Sequence, residues 1–122
     1  MKSKRVIGAV VGVLLLVGCQ QAKVTHVVVC WLKEPGNESQ QQQIIEASKT
    51  FKTIPGVVDV TAGRTMPSTR PVVDTTYDVA IVMRMRDEQA LKEYGNHPAH
   101  IAARDKIFLP LVQRFVIYDF KQ

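Results

Sequence analysis

Apolar positions recur along this chain in two periods, and the elements change where the period changes. From Val24 to Leu32, Thr25, Val27, Val29 and Trp31 alternate with His26, Val28, Cys30 and Leu32. Both sets are largely apolar, which predicts a strand buried on both faces. Lys33-Glu34-Pro35-Gly36-Asn37 has turn composition. Glu38 to Thr53 then follows a helical period, with Ile44, Ile45, Ser48 and Phe51 on one side and Gln40 to Gln43 mostly in water. Ile54-Pro55-Gly56 ends that helix, and Val57 to Ala62 alternates as a second strand.

A loop from Gly63 to Asp74 carries Arg64, Arg70, Pro67 and Pro71. Thr75 to Met85 is predicted as a third strand, with Val79, Ile81 and Met83 on one face and Ala80 and Val82 on the other. Arg86-Asp87-Glu88 opens a short helix whose Ala90, Leu91 and Tyr94 share a side, so Tyr94 looks inward. Asn96 or His97 can cap the next helix, Pro98 suits its first position, and His100, Ala103, Ile107 and Leu111 fall on one stripe. His100 is therefore also expected inside, with His97 at the rim. Pro110 limits the helix, and Val112 to Phe120 forms a last strand in which Phe115 and Ile117 alternate with Val116, Tyr118 and Phe120.

This order predicts an α+β, ferredoxin-like split βαβ protomer with one antiparallel four-stranded sheet and helices on one face. The other face would expose Val27, Val29, Trp31, Ala80, Val82, Val116 and Tyr118. An apolar face of that size calls for a partner, most simply a second copy packed sheet to sheet as a homodimer.

The first 18 residues follow neither period. Lys2, Lys4 and Arg5 precede an almost unbroken apolar run from Val6 to Val17, too short to span a bilayer comfortably and flanked like a secretion signal. Leu16-Val17-Gly18-Cys19 resembles a bacterial lipobox. That resemblance implies lipidation of Cys19, removal of residues 1–18, a tether over 19–23 and a domain over 24–122. The implied location is the exported, membrane-anchored side of the envelope, with Gln20 after the cysteine resembling outer-membrane sorting in a Gram-negative host.

Charge changes meaning under that division. The 122 residues carry 16 Lys and Arg against 11 Asp and Glu, a net charge of +5. Three of the basic residues and none of the acidic ones lie in the first 18, so the remaining 104 carry 13 against 11, a net +2. Nucleic-acid binding loses its main support. With Cys19 spent on lipid, Cys30 has no disulfide partner and is expected to pack as a small hydrophobe.

Candidate chemistry concentrates in Tyr94-Gly95-Asn96-His97-Pro98-Ala99-His100, which holds two of the three histidines and one of the three tyrosines. If His26, Tyr94 and His100 converge on a cavity lined by Val28, Ile81, Phe115 and Ile117, His100 can act as base and Tyr94 as its hydrogen-bonding partner or acid. The alternative is structural: His97 caps its helix while His100 and Tyr94 bond each other or nearby carbonyls. His97 and His100 stand one turn apart, but a capping and an inward imidazole diverge, and no H-E-x-x-H pattern supports a metal. No cofactor is implied. Arg64 or Arg70 could meet a carboxylate at the cavity mouth.

His26-Val27-Val28, Ile54-Pro55-Gly56-Val57, Gly63, Tyr77-Asp78-Val79-Ala80, Tyr94 with His97-Pro98-Ala99-His100, and Tyr118-Asp119-Phe120 together resemble the stress-responsive dimeric α/β-barrel (Dabb) family. The resemblance spans Val24 to Phe120 and implies two ferredoxin-like protomers joined into a barrel. Many members are stress-associated, and a few resemble cofactor-free polyketide cyclases that bind an apolar substrate between sheet and helices. In those, a tyrosine and a second histidine act as acid-base partners, matching Tyr94 and His100. His26 matches a first-strand histidine facing the same cavity, and His97 falls within the implied ligand-binding set. Two positions depart from the cyclase-like pattern: Val79 stands where a third-strand histidine is common, and Gly95 replaces a bulkier residue.

Overall fold

The computed structural model describes residues 2–15 and 21–122. Four strands, β1 (Val24–Leu32), β2 (Val57–Arg64), β3 (Val79–Met85) and β4 (Val112–Lys121), form one antiparallel sheet in the order β2-β3-β1-β4. The helices are α1 (Glu38–Thr50), α2 (Glu88–Asn96) and α3 (Pro98–Ala103). A 3-10 turn, Phe51–Thr53, extends α1. A π-helical turn, Arg104–Phe108, and a last turn, Leu109–Leu111, carry α3 into β4. The expected ferredoxin-like α+β arrangement is the one observed.

β1 is central because it has apolar side chains to offer on both faces. It pairs with β3 from Val24↔Met85 to Cys30↔Val79, and with β4 from Val24↔Lys121 to Leu32↔Val112. Period-two alternation then sends Val24, His26, Val28, Cys30 and Leu32 to the helix side, where all five are buried. Val79, Ile81, Met83 and Met85 of β3 join them, each at most 1% exposed. Cys30 is sealed in this layer, and burial pushes its thiol pKa up to about 12, so it stays protonated.

Local chemistry sets the ends of the helices. Asn37 caps α1, accepting from the Gln40 N–H at 3.0 Å. Asp87 caps α2, accepting from the Ala90 N–H at 2.8 Å. Gly56 turns the chain into β2 at φ +86°, where a Cβ would lie 2.6 Å from the Ala90 Cβ. Any side chain there would both strain the backbone and push α2 off the sheet.

The structure departs from the expectations at several points. β3 begins at Val79 rather than Thr75 because Asp78 is committed elsewhere. Its carboxylate accepts from Leu32 N at 2.9 Å, Gly36 N at 2.7 Å and Gln41 Nε2 at 3.1 Å, which locks the β1–α1 turn. Burial pushes its pKa up, but those three bonds outweigh it and the net shift is downward. β2 runs to Arg64, two residues beyond Ala62. A further departure is the π-turn, which breaks the predicted stripe of His100, Ala103, Ile107 and Leu111. An extra residue in the turn shifts the helix's phase, so Phe108 becomes the buried residue while Ile107 and Leu111 are only half-buried.

On the opposite face, Val27, Val29, Ala80 and Val116 are half-buried, and Val82, Tyr118 and Phe120 are exposed. Among the described residues no helix covers them. Trp31 stands at the side of this face, with the Arg114 guanidinium 4.0 Å from its ring centroid and its indole N–H donating to Thr76 Oγ1 at 2.9 Å. Residues 2–15 carry no regular secondary structure and are exposed. Among the described residues no helix is long and apolar enough to cross a membrane. The Leu16–Cys19 motif lies outside the described residues.

Candidate active site between sheet and helices

The helix side of the sheet closes over a cavity of about 270 Å³. Its floor is His26, Val28, Ile81, Met83, Phe115 and Ile117 from three adjacent strands. Its wall is Phe51, Tyr94, His100, Arg104, Phe108 and Leu109 from the helical layer. The seven residues proposed from the sequence to share a cavity, His26, Val28, Ile81, Tyr94, His100, Phe115 and Ile117, all line it. His97 does not. Its Nδ1 accepts from the Ala99 N–H at 3.1 Å, so the imidazole serves as the N-cap of α3.

Three polar side chains meet inside this apolar shell. The Tyr94 ring lies 4.4 Å from the His100 ring and 5.7 Å from the His26 ring, centroid to centroid. Phe51 holds the group from α1's side, edge-on to Tyr94 at 5.5 Å and to His100 at 5.7 Å, and stacked on Phe108 at 6.0 Å. Such aromatic contacts fix ring orientation as well as burying area.

Hydrogen bonding decides what each imidazole can do. His100 Nδ1 lies 3.1 Å from the Gly95 carbonyl oxygen, which only accepts, so Nδ1 carries the proton and Nε2 keeps its lone pair. Burial holds the His100 pKa below its ordinary value; the Gly95 bond and Asp105 raise it, Arg104 and His26 lower it, and the net is downward. His100 is therefore a neutral base at neutral pH. His26 Nδ1 lies 2.5 Å from Asp119 Oδ1, its register partner on β4. The carboxylate again only accepts, so Nδ1 of His26 also carries a proton. Burial raises the Tyr94 pKa above the ordinary tyrosine value. Tyr94 thus stays a protonated phenol, suited to donate a hydrogen bond to developing negative charge.

Arg64 and Arg70 do not reach this site. Arg64 bonds the Glu38 carbonyl and Gln42 Oε1, and Arg70 lies in the exposed loop. The arginine on the cavity is Arg104. Asp119 was likewise not singled out as a site residue, although the alternation of Phe115, Ile117 and Asp119 places it on the inner face; only the β1–β4 register shows that it meets His26. Val79 is fully buried and does not line the cavity. Among the described residues no three His, Cys, Asp or Glu side chains come together as a metal site.

Residues 24–122 match the model of a protein family described as Stress responsive A/B Barrel Domain. No curated protein matches the chain. Among solved structures, the chain is similar to a ferredoxin-like Dabb family protein from Mesorhizobium loti, with 27% identity, TM-score 0.66, and coverage of 82% of this chain and 96% of that one. A dimeric ferredoxin-like protein of unknown function from Thermobifida fusca matches at 23% identity and TM-score 0.69, covering 84% and 93%. A hydroxynitrile lyase from Passiflora edulis matches at 15% identity and TM-score 0.71, covering 84% and 94%.

Proposed function

The chain belongs to the stress responsive A/B barrel domain family, and from that premise we propose that it binds a small apolar or amphipathic molecule in the cavity between sheet and helices. The observation that carries this reading is the cavity's composition: an almost wholly apolar shell with two imidazoles and one phenol directed into it. A few placed polar groups in an apolar pocket give orientation, while the apolar surface gives affinity. An apolar cavity of about 150 Å³ holds benzene, so this one suits a single ring with a short chain. Replacing Ile117 at the mouth by Trp tests the reading. The wild type should bind 4-phenylbutan-1-ol by calorimetry and Ile117→Trp should bind at least about tenfold more weakly; equal binding contradicts it.

The same reading includes a homodimer through Val27, Val29, Trp31, Val82 and Val116, supported by dimeric neighbours of the same fold. It also includes a lipid anchor on Cys19 at the exported side of the envelope, supported by the apolar run and the Leu16–Cys19 tetrad. Cys19→Ser should move the protein from the membrane fraction to the soluble fraction or block its processing. An unchanged distribution contradicts the anchor.

A second reading, cofactor-free acid-base catalysis, is favoured by one observation: the His100 Nε2 lone pair beside a phenol that stays protonated. On a cyanohydrin, a hydroxyl proton passes to Nε2 of His100, the carbonyl forms, the C–C bond breaks and cyanide leaves with the electron pair. Cyanide then takes the proton back from His100. Mandelonitrile cleavage should fall about 10²-fold in His100→Gln if the chain does such chemistry. A wild-type rate no higher than that of the variant removes this reading.

A further inference from the structure

The cavity is apolar except for four side chains, and only one of them, Arg104, carries a permanent charge. Its placement follows from the irregular segment of the chain. His100, Arg104 and Phe108 follow one another at four-residue spacing, and with the π-turn over Arg104–Phe108 it is this row, rather than Ala103 and Ile107, that lines the cavity. Arg104 stands about one turn along the same backbone from His100, and its half-exposed side chain sets it at the solvent side of the cavity.

Its guanidinium is only partly engaged. Nε donates to Asp105 Oδ1 at 2.8 Å, and both side chains are about half exposed, at 46% and 51%. Such a water-screened pair is weak. Among the described residues no hydrogen bond occupies the two terminal nitrogens of Arg104. A guanidinium presents parallel N–H donors that match a carboxylate in a two-point contact.

Resting on the ligand-binding reading above, we propose that Arg104 selects an amphiphile with a carboxylate head, held at the cavity mouth while its apolar body packs on Phe108, Phe115 and Ile117. The tail then runs toward His100 and Tyr94. Arg104 is a specificity-determining residue in this arrangement and has no part in folding the core.

Paired ligands with one apolar body and two heads, 4-phenylbutyrate and 4-phenylbutan-1-ol, test this on the full-length chain by calorimetry. The wild type should prefer the carboxylate by about tenfold at low salt, with the preference shrinking as salt is added. Arg104→Gln should lose that preference by weakening the carboxylate far more than the alcohol, and Arg104→Lys should keep part of it. Equal wild-type affinities, or a preference that survives in Arg104→Gln, overturn the role of Arg104 and leave the cavity reading intact. If neither ligand binds, both readings fail together. A general loss of alcohol binding in Arg104→Gln also overturns the proposal, because it makes the residue structural.

Discussion

The two faces of β1 are built from adjacent residues of one strand and have opposite characters. On the helix side, His26 lies between the buried Val24 and Val28, and its imidazole is oriented by Asp119 and packed near Tyr94. On the other side Val27 and Val29 are half-buried, beside an exposed Val82 and Tyr118 that no helix of the described residues covers. The first face holds chemistry in an apolar setting; the second is apolar surface with its polar groups at the margin, where Trp31 meets Arg114 and Thr76. The strand can serve both because period-two alternation makes the faces independent in side chain while their backbone is shared.

That independence can be attacked from either side. The largest effect is expected on the open face: Val29→Asp should abolish the proposed dimer, giving monomers or insoluble chains by light scattering, because a charge would be buried without a partner. A soluble, dimeric variant contradicts sheet-to-sheet packing. On the covered face, Phe51→Ala removes the ring that touches Tyr94, His100 and Phe108. It should cost about 3–5 kcal/mol in denaturant unfolding, while leaving oligomeric state unchanged in whatever fraction stays folded. A cost below about 1 kcal/mol would mean that the aromatic cluster does not hold the wall.

The pH response should also come from the covered face. The His100 pKa is depressed below its ordinary 6.5, so between the folded value and 6.5 the unfolded chain binds more protons than the folded one. Its stabilising contribution is complete above pH 6.5 and is lost as pH falls through the folded pKa. His100→Gln should flatten that part of the stability profile. An identical slope in the variant would assign the dependence to other groups. The smallest effect is expected at Asp119. Its carboxylate is 46% exposed, so Asp119→Asn should change stability by less than about 1 kcal/mol. It should nevertheless shift the His26 ring resonances by releasing the tautomer; an unmoved His26 spectrum contradicts that orienting role.

Much of this contrast was legible in the sequence. Alternation in Val24 to Leu32 assigned both faces of β1 correctly, and helical spacing brought Tyr94 and His100 inward. The Asn96-His97-Pro98 signature marked the start of α3, although it gave no way to tell that His97 would be consumed as the cap and leave the cavity lining. The losses occur where a local period meets a long-range constraint. Arg104 and Phe108 were missed because helical spacing from His100 allows either the 103–107 row or the 104–108 row, and only the π-turn selects the second. Thr75 to Asp78 looked like strand, but the Asp78 carboxylate is drawn across to Leu32, Gly36 and Gln41, contacts 37 to 46 residues away. Asp119 had the right phase, and its partner depended on strand register that only the folded sheet defines.

The central claim is that the covered face receives a small molecule and the open face does not. Side-chain NMR with 4-phenylbutan-1-ol tests this in one titration, because His100, Tyr94 and Phe108 report on the cavity while the Trp31 indole N–H reports on the open face. Saturable shifts are expected at His100, Tyr94 and Phe108, with Trp31 unmoved. No shift at any of the three cavity residues, or a response confined to Trp31, would contradict the claim.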